Sequence, residues 1–318
     1  MNNSLQINNL NDLYDSFEAL STEGGWHRKF PALWPEPEEN FLPHLWEYEK
    51  IKPVLMAAGE LVAAENAERR NLTMRNPVAG NRYATVRTIV AAYQMIQPGE
   101  VAKSHRHTPN ALRLILEGKG TYTVVNGKRI EMCPGDVLLT PSWFWHSHEC
   151  VGNEDCYWMD FLDVPLVHLL EPMFFERHPD GLESKIQNLT EAPLVFRWED
   201  TLQKLDAISD TDFTEADQLI ELGSPALDSI ALYMLRFSGG NSSAKIQTTA
   251  NNIFAVIKGE GKTTIDGNEF SWSFGDTIAI PSWRSYQHHA SSDAILLRVT
   301  DAPVMEKFNW LRTKNLDA

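Results

Sequence analysis

Residues 117–143 read EGKGTYTVVNGKRIEMCPGDVLLTPSW, and residues 258–283 read KGEGKTTIDGNEFSWSFGDTIAIPSW. The landmarks come in the same order in both: a Gly-x-Gly turn, a hairpin turn at Asn126-Gly127 or Asp266-Gly267, a Gly-Asp turn and Pro-Ser-Trp. The second stretch lacks one residue, between its first turn and its hairpin Gly. Between the landmarks lie short runs of Val, Ile, Thr, Leu and Tyr, which fit a pleated, half-buried surface. Such self-similarity means that one all-β unit of roughly 70–80 residues is used twice. Closely spaced strands with Gly and Pro turns predict a pair of double-sheet jelly-roll barrels.

Outward from the repeats the pattern changes. Residues 81–165 are assigned to the first barrel and 226–318 to the second, with 166–225 as a connector whose acidic segments, such as EDTLQKLDAISDTDFTEADQ, read as partly helical. Residues 1–80 form an arm and a helix. The arm is rich in Trp and Pro (Trp26, Trp34, Pro35, Pro37, Pro43, Trp46), so it is expected to pack on a larger body. Ile51, Val54, Leu55, Ala58 and Val62 follow helical spacing, which predicts a helix from about Lys50 to Arg70.

Composition excludes several classes. Hydrophobic residues make up 43% of the 318, enough for a packed core. Lys and Arg number 28 against 43 Asp and Glu, a net charge of −15, so nucleic acid and anionic membrane are poor partners. No apolar run reaches membrane-spanning length, and the N-terminus lacks a basic start and apolar signal core. The three cysteines, Cys133, Cys150 and Cys156, form no CxxC pair, so a cytoplasmic, reducing setting is expected.

The first repeat carries chemistry. His105 and His107 stand two apart on a strand and face the barrel interior together. Gly135, Pro141, Trp143 and His146 follow on a later strand that a jelly roll places across from the first. Three imidazoles converging with open positions to one side suit Fe(II), and also Mn, Ni, Cu or Zn. Aligned on Gly118/Gly259 and then on Pro-Ser-Trp, the second repeat has Ile246, Thr248 and Tyr286 at these positions, so it is expected to bind no metal in this mode. His288 and His289 just beyond read as ordinary polar residues. Arg113, eight residues after His105 in the apolar strand ALRLIL, is expected inward, where a guanidinium is costly unless it meets an anion. His148 shares the face of His146 and is positioned as a proton donor in its usual titration range.

These segments, PGEVAKSHRHTPNALRLILEGKGTYTVVNG, PGDVLLTPSWFWHSH, WMDFLDVPLV and PHLWEYEKIKPVLMAAGELVAAENAERRNLTMRNP, resemble the gentisate 1,2-dioxygenase family. That bicupin family has relatives acting on salicylates and 1-hydroxy-2-naphthoate. The resemblance implies one Fe(II) per chain, held by His105, His107 and His146, with dioxygen as co-substrate. It implies a small aromatic hydroxy-acid substrate, gentisate or a close 2-hydroxybenzoate, split between C1 and C2 to give maleylpyruvate or an analogue. Gln94 and Arg69 or Arg70 match pocket positions beside Arg113, and Asp160 a position that faces the ring's fifth carbon. The family commonly has Gly after that Asp; Phe161 stands here and is expected to narrow the pocket. A homo-oligomer, a tetramer, is implied as well. The reading from a different class is a non-catalytic bicupin that binds an aromatic acid.

Overall fold

Asn126 and Gly127 both take positive φ, 48° and 77°, and Asp266 and Gly267 do the same at 48° and 84°. Two such residues make the turn whose twist matches paired strands. Strand Thr121–Val125 therefore folds back onto Lys128–Met132, and Gly261–Ile265 onto Asn268–Trp272, in matching registers. The structure, a computed structural model, describes residues 6–27, 31–62, 69–188, 194–208, 215–224 and 226–317.

Each repeat closes into a barrel of two sheets. In the first, Val90–Ile96, Ala111–Glu117, Val137–Thr140 and Cys156–Leu162 form one wall, and Val101–His107, Thr121–Val125, Lys128–Met132 and His146–Cys150 the other. Side chains alternate along these strands. One set, including Ile115, Val125 and Trp158, fills the first barrel; the other, including Tyr93, Met159 and Phe161, packs with Leu232, Met234 and Leu297 of the second. The Tyr93 hydroxyl donates to the Gly275 carbonyl at 2.7 Å across that contact. A clasp is also repeated: Asp163 Oδ1 accepts the Asn110 backbone N–H, and Asp301 Oδ1 accepts that of Asn251.

The repeat extends further upstream than its Gly turns. Strand His44–Trp46 pairs with Thr277–Ile280 of the second barrel, and Val195–Phe196 pairs with Val137–Thr140 of the first. A helix follows each, Tyr48–Leu61 and Trp198–Asp206. Asp276 Oδ1 accepts the Tyr48 backbone N–H and Asp136 Oδ1 that of Trp198, both at 2.8 Å. The two Gly-Asp turns thus satisfy the free N–H groups that open each helix. Each repeat sends its leading strand and helix onto the barrel of the other.

One local expectation is corrected. The helix ends at Leu61, with Val62 extended, and Arg70 instead opens strand Arg70–Thr73, paired with Val90–Ile96. Leu55 of the apolar stripe is buried and Ile51 and Ala58 are half-buried, while Val54 is 53% exposed. In the arm, which clusters by itself as residues 1–38, Asn9 caps helix Leu10–Ala19. Within the arm Trp26 leans edge-on against Phe17. No helix among the described residues is long and apolar enough to cross a membrane.

Candidate active site

His105 pairs directly with His146 across the strands Val101–His107 and His146–Cys150. Trp143 enters the turn before His146 with φ 64°, which aims its N–H at the His107 carbonyl at 2.8 Å and ties the two strands together. One ring nitrogen from each of His105, His107 and His146 lies within 4.8 Å of the others. His107 Nδ1 sits 2.8 Å from the Pro109 carbonyl, and His146 Nδ1 3.1 Å from that of Phe144. A carbonyl only accepts, so each Nδ1 holds the proton and each Nε2 presents a lone pair. Burial, followed by the Arg69 charge, pushes His105 down to about 2, and burial takes His107 down to about 4. Neutral imidazoles are the form that binds metal, so the donor set fits a metal ion. No other such grouping of His, Cys, Asp and Glu exists among the described residues.

Around the cluster the register collects the remaining polar groups. Asp160 lies opposite Arg113 on one side and Ala92 on the other, and Trp158 opposite Gln94, so Asp160, Arg113 and Gln94 share a face. Arg113 Nε is 3.1 Å from Asp160 Oδ1, but the two are not aligned as a hydrogen bond. Thr140 Oγ1 accepts from Arg113 Nη1, and Asp160 Oδ2 from Trp158 Nε1. The anion expected beside Arg113 is thus at least partly the protein's own. His148 is 1% exposed, with neither ring nitrogen hydrogen-bonded. Burial and then Arg113 hold it well below the usual imidazole range, which corrects the expectation of a group titrating near neutrality.

Arg69 and Arg70 part company. Arg69 Nη2 lies 3.3 Å from His105 Nδ1. A guanidinium only donates, so in this arrangement His105 Nδ1 accepts. Arg70 is buried, ion-paired with Glu100 and donating to the Val62 carbonyl at 2.9 Å. A small cavity is lined by Arg69, Arg70 and Gln94 together. Phe161 falls on the opposite face from Asp160, in the cluster between the barrels with Tyr93 and Leu232, because strand side chains alternate. It does not narrow the pocket.

Residues 92–164 match the family described as a cupin domain. Over 333 residues the chain is 30% identical to gentisate 1,2 dioxygenase 1 of Aquipseudomonas alcaligenes, covering 96% of each chain. The chain belongs to the gentisate 1,2-dioxygenase family. It is 31% identical to a 5-aminosalicylate 1,2-dioxygenase of a Comamonas species, over 95% of this chain and 89% of that one. Salicylate 1,2-dioxygenase of Pseudoaminobacter salicylatoxidans, solved with gentisate adducts, superposes with a TM-score of 0.88 at 27% identity, covering 100% of this chain and 98% of that one. The fold is the bicupin, and the enzyme is a ring-cleaving dioxygenase. The three-histidine group of this dioxygenase is consistent with iron.

The second barrel of this gentisate dioxygenase relative repeats the geometry with other residues. Ile246 pairs with Tyr286 as His105 pairs with His146. The Trp283 N–H donates to the Thr248 carbonyl at 2.7 Å, as that of Trp143 does to His107. Arg298 lies opposite Phe254 where Asp160 lies opposite Arg113. His288, two residues after Tyr286, is the counterpart of His148 and is 1% exposed, with Nδ1 2.7 Å from Thr263 Oγ1. It is therefore an interior residue, unlike His289, which meets Ser242 near the surface. The offset from Tyr286 alone carried that signal.

Proposed function

We propose that this enzyme holds one Fe(II) on His105, His107 and His146 and uses dioxygen to split the C1–C2 bond of gentisate or a closely related 2-hydroxybenzoate, giving maleylpyruvate or its analogue. The carrying observation is the cluster of three neutral histidines beside the buried Arg113–Asp160 pair. Fe(II), when bound, would supply the electron exchange between ring and dioxygen that a closed-shell ion such as zinc cannot. Arg69, rather than Arg70, takes the substrate carboxylate, turning from His105 toward the anion and leaving His105 free to bind through either nitrogen. Gln94 adds a polar contact beside it. Arg113 and Trp158 hold Asp160, whose Oδ1 remains to accept a hydrogen bond from a 5-hydroxyl. Neutral His148, with both nitrogens unengaged, donates an N–H to oxygen on the ring or on the opening product.

Salicylates are the second reading, favoured by the aminosalicylate relative and by the structural likeness to a salicylate 1,2-dioxygenase. The same proposal places the enzyme in the cytoplasm as a homotetramer; exposed Leu169, Leu170 and Phe174 support burial against another copy. The test is dioxygen uptake by anaerobically iron-loaded protein offered gentisate and salicylate in parallel. Uptake with gentisate alone supports the Asp160 contact, and uptake with both means a pocket indifferent to the 5-hydroxyl. Iron-loaded protein inert to both would overturn the substrate assignment.

A further inference from the structure

The second barrel has a cavity of its own where the first keeps its histidines. Its volume is about 160 Å³, and Ile246, Thr248 and Tyr286, the counterparts of His105, His107 and His146, line it. That is room for about five water molecules, or for a small organic ligand the size of a benzene ring. Arg298 is the only cationic side chain lining it among the described residues. It is 9% exposed, its plane lies 4.1 Å over the Tyr233 ring, and its Nε is enclosed without a hydrogen-bond partner. Its Nη1 is ion-paired with Glu215, whose side chain is 31% exposed. The first barrel has a carboxylate, Asp160, at this register position; the second has a guanidinium.

We propose that this cavity is a second, metal-free site that binds a small planar monocarboxylate of the benzoate class, which displaces Glu215 from Arg298. A buried guanidinium N–H without a partner is unfavourable, and a carboxylate satisfies two parallel N–H groups at once. Glu215 contacts Nη1 alone and reaches solvent, so it can yield to a ligand whose two oxygens take the Nε N–H and an Nη N–H side by side. Tyr233, Ile246 and Leu311 offer walls for a ring. Burial pushes the Tyr286 phenol up to about 12, so it stays protonated beside the guanidinium and can donate to a carboxylate oxygen. Glu306 also lines the cavity, and its charge opposes a ligand with a second carboxylate. This site is independent of the reaction assigned to the first barrel.

The test is calorimetric titration of benzoate, which lacks the neighbouring hydroxyl, into the full-length protein and its variants. Arg298→Met should weaken one binding event by at least about tenfold, the scale of a lost charged hydrogen bond. Glu215→Gln should strengthen the same event several-fold, because the competing carboxylate is gone, and Arg69→Met should leave it in place. Phthalate, a dicarboxylate, should bind there more weakly than benzoate. Should Arg298→Met fail to fold, Glu215→Gln and phthalate still decide. Benzoate affinity unchanged by Glu215→Gln, or a binding event lost with Arg69→Met and kept with Arg298→Met, overturns the proposal.

Discussion

Arg69 and Arg70 are neighbours with different partners because Arg70 is the first residue of a strand. Its side chain is directed to Glu100, with 4% and 18% of the two side chains exposed, whereas Arg69 meets the edge of His105. Replacing one member of a buried ion pair strands the other charge. Arg70→Met is therefore expected to lower unfolding stability by about 3 kcal/mol, measured in urea. Arg69→Met should change stability by less than about 1 kcal/mol and raise the KM for the aromatic acid roughly tenfold. The reverse pattern would mean that Arg70 is the carboxylate ligand. The sequence could not divide these roles, since both arginines also suited the end of a longer helix. The three histidines, by contrast, were legible, because the two-residue strand period put His105 and His107 on one face whatever the fold's details. The same period places Phe161 on the face away from Asp160, whatever its size.

At the scale of elements, the exchanged strand-helix segments hold the two repeats together. The segments read HLWEYEK and LVFRWED, with an aromatic residue at Trp46 and Phe196 and another at Tyr48 and Trp198. That likeness is weak next to the Gly turns, and the ends of the repeat unit lie outside the region where turn residues dictate sequence. The pairing of these segments is fixed by close approach. A Cβ on Gly275 would lie 2.4 Å from the Tyr48 ring, and one on Gly135 2.6 Å from the Trp198 ring. Both glycines have positive φ, 83° and 87°. Gly275→Ala and Gly135→Ala thus combine backbone strain with overpacking and are each expected to destabilise by about 2–3 kcal/mol. Urea unfolding would measure this, and a loss below about 0.5 kcal/mol in either would mean that its helix is not held tightly to the barrel.

For the whole molecule, the buried histidines set the response to acid. His105, His107, His146, His148 and His288 are all held below the ordinary imidazole value, first of all by burial. The unfolded chain takes up protons on these rings as pH falls through about 6.5, while the native state does not. Their contribution to stability is therefore complete above that pH and is lost progressively below it. Buried carboxylates such as Asp160 and Asp301, raised by burial, act in the opposite sense between their raised native values and the ordinary carboxylate range and partly offset the loss. His288 isolates the effect, because it lies in the second barrel and is pushed down to about 3. In His288→Gln, which keeps a polar partner for Thr263, the fall in stability with acid should become shallower by about 1.4 kcal/mol per pH unit between pH 6 and 4. Urea titrations of metal-free protein at several pH values in that window would measure the slope. An unchanged slope would mean that His288 takes up its proton in the native barrel, and that the interior of the second barrel is open to water.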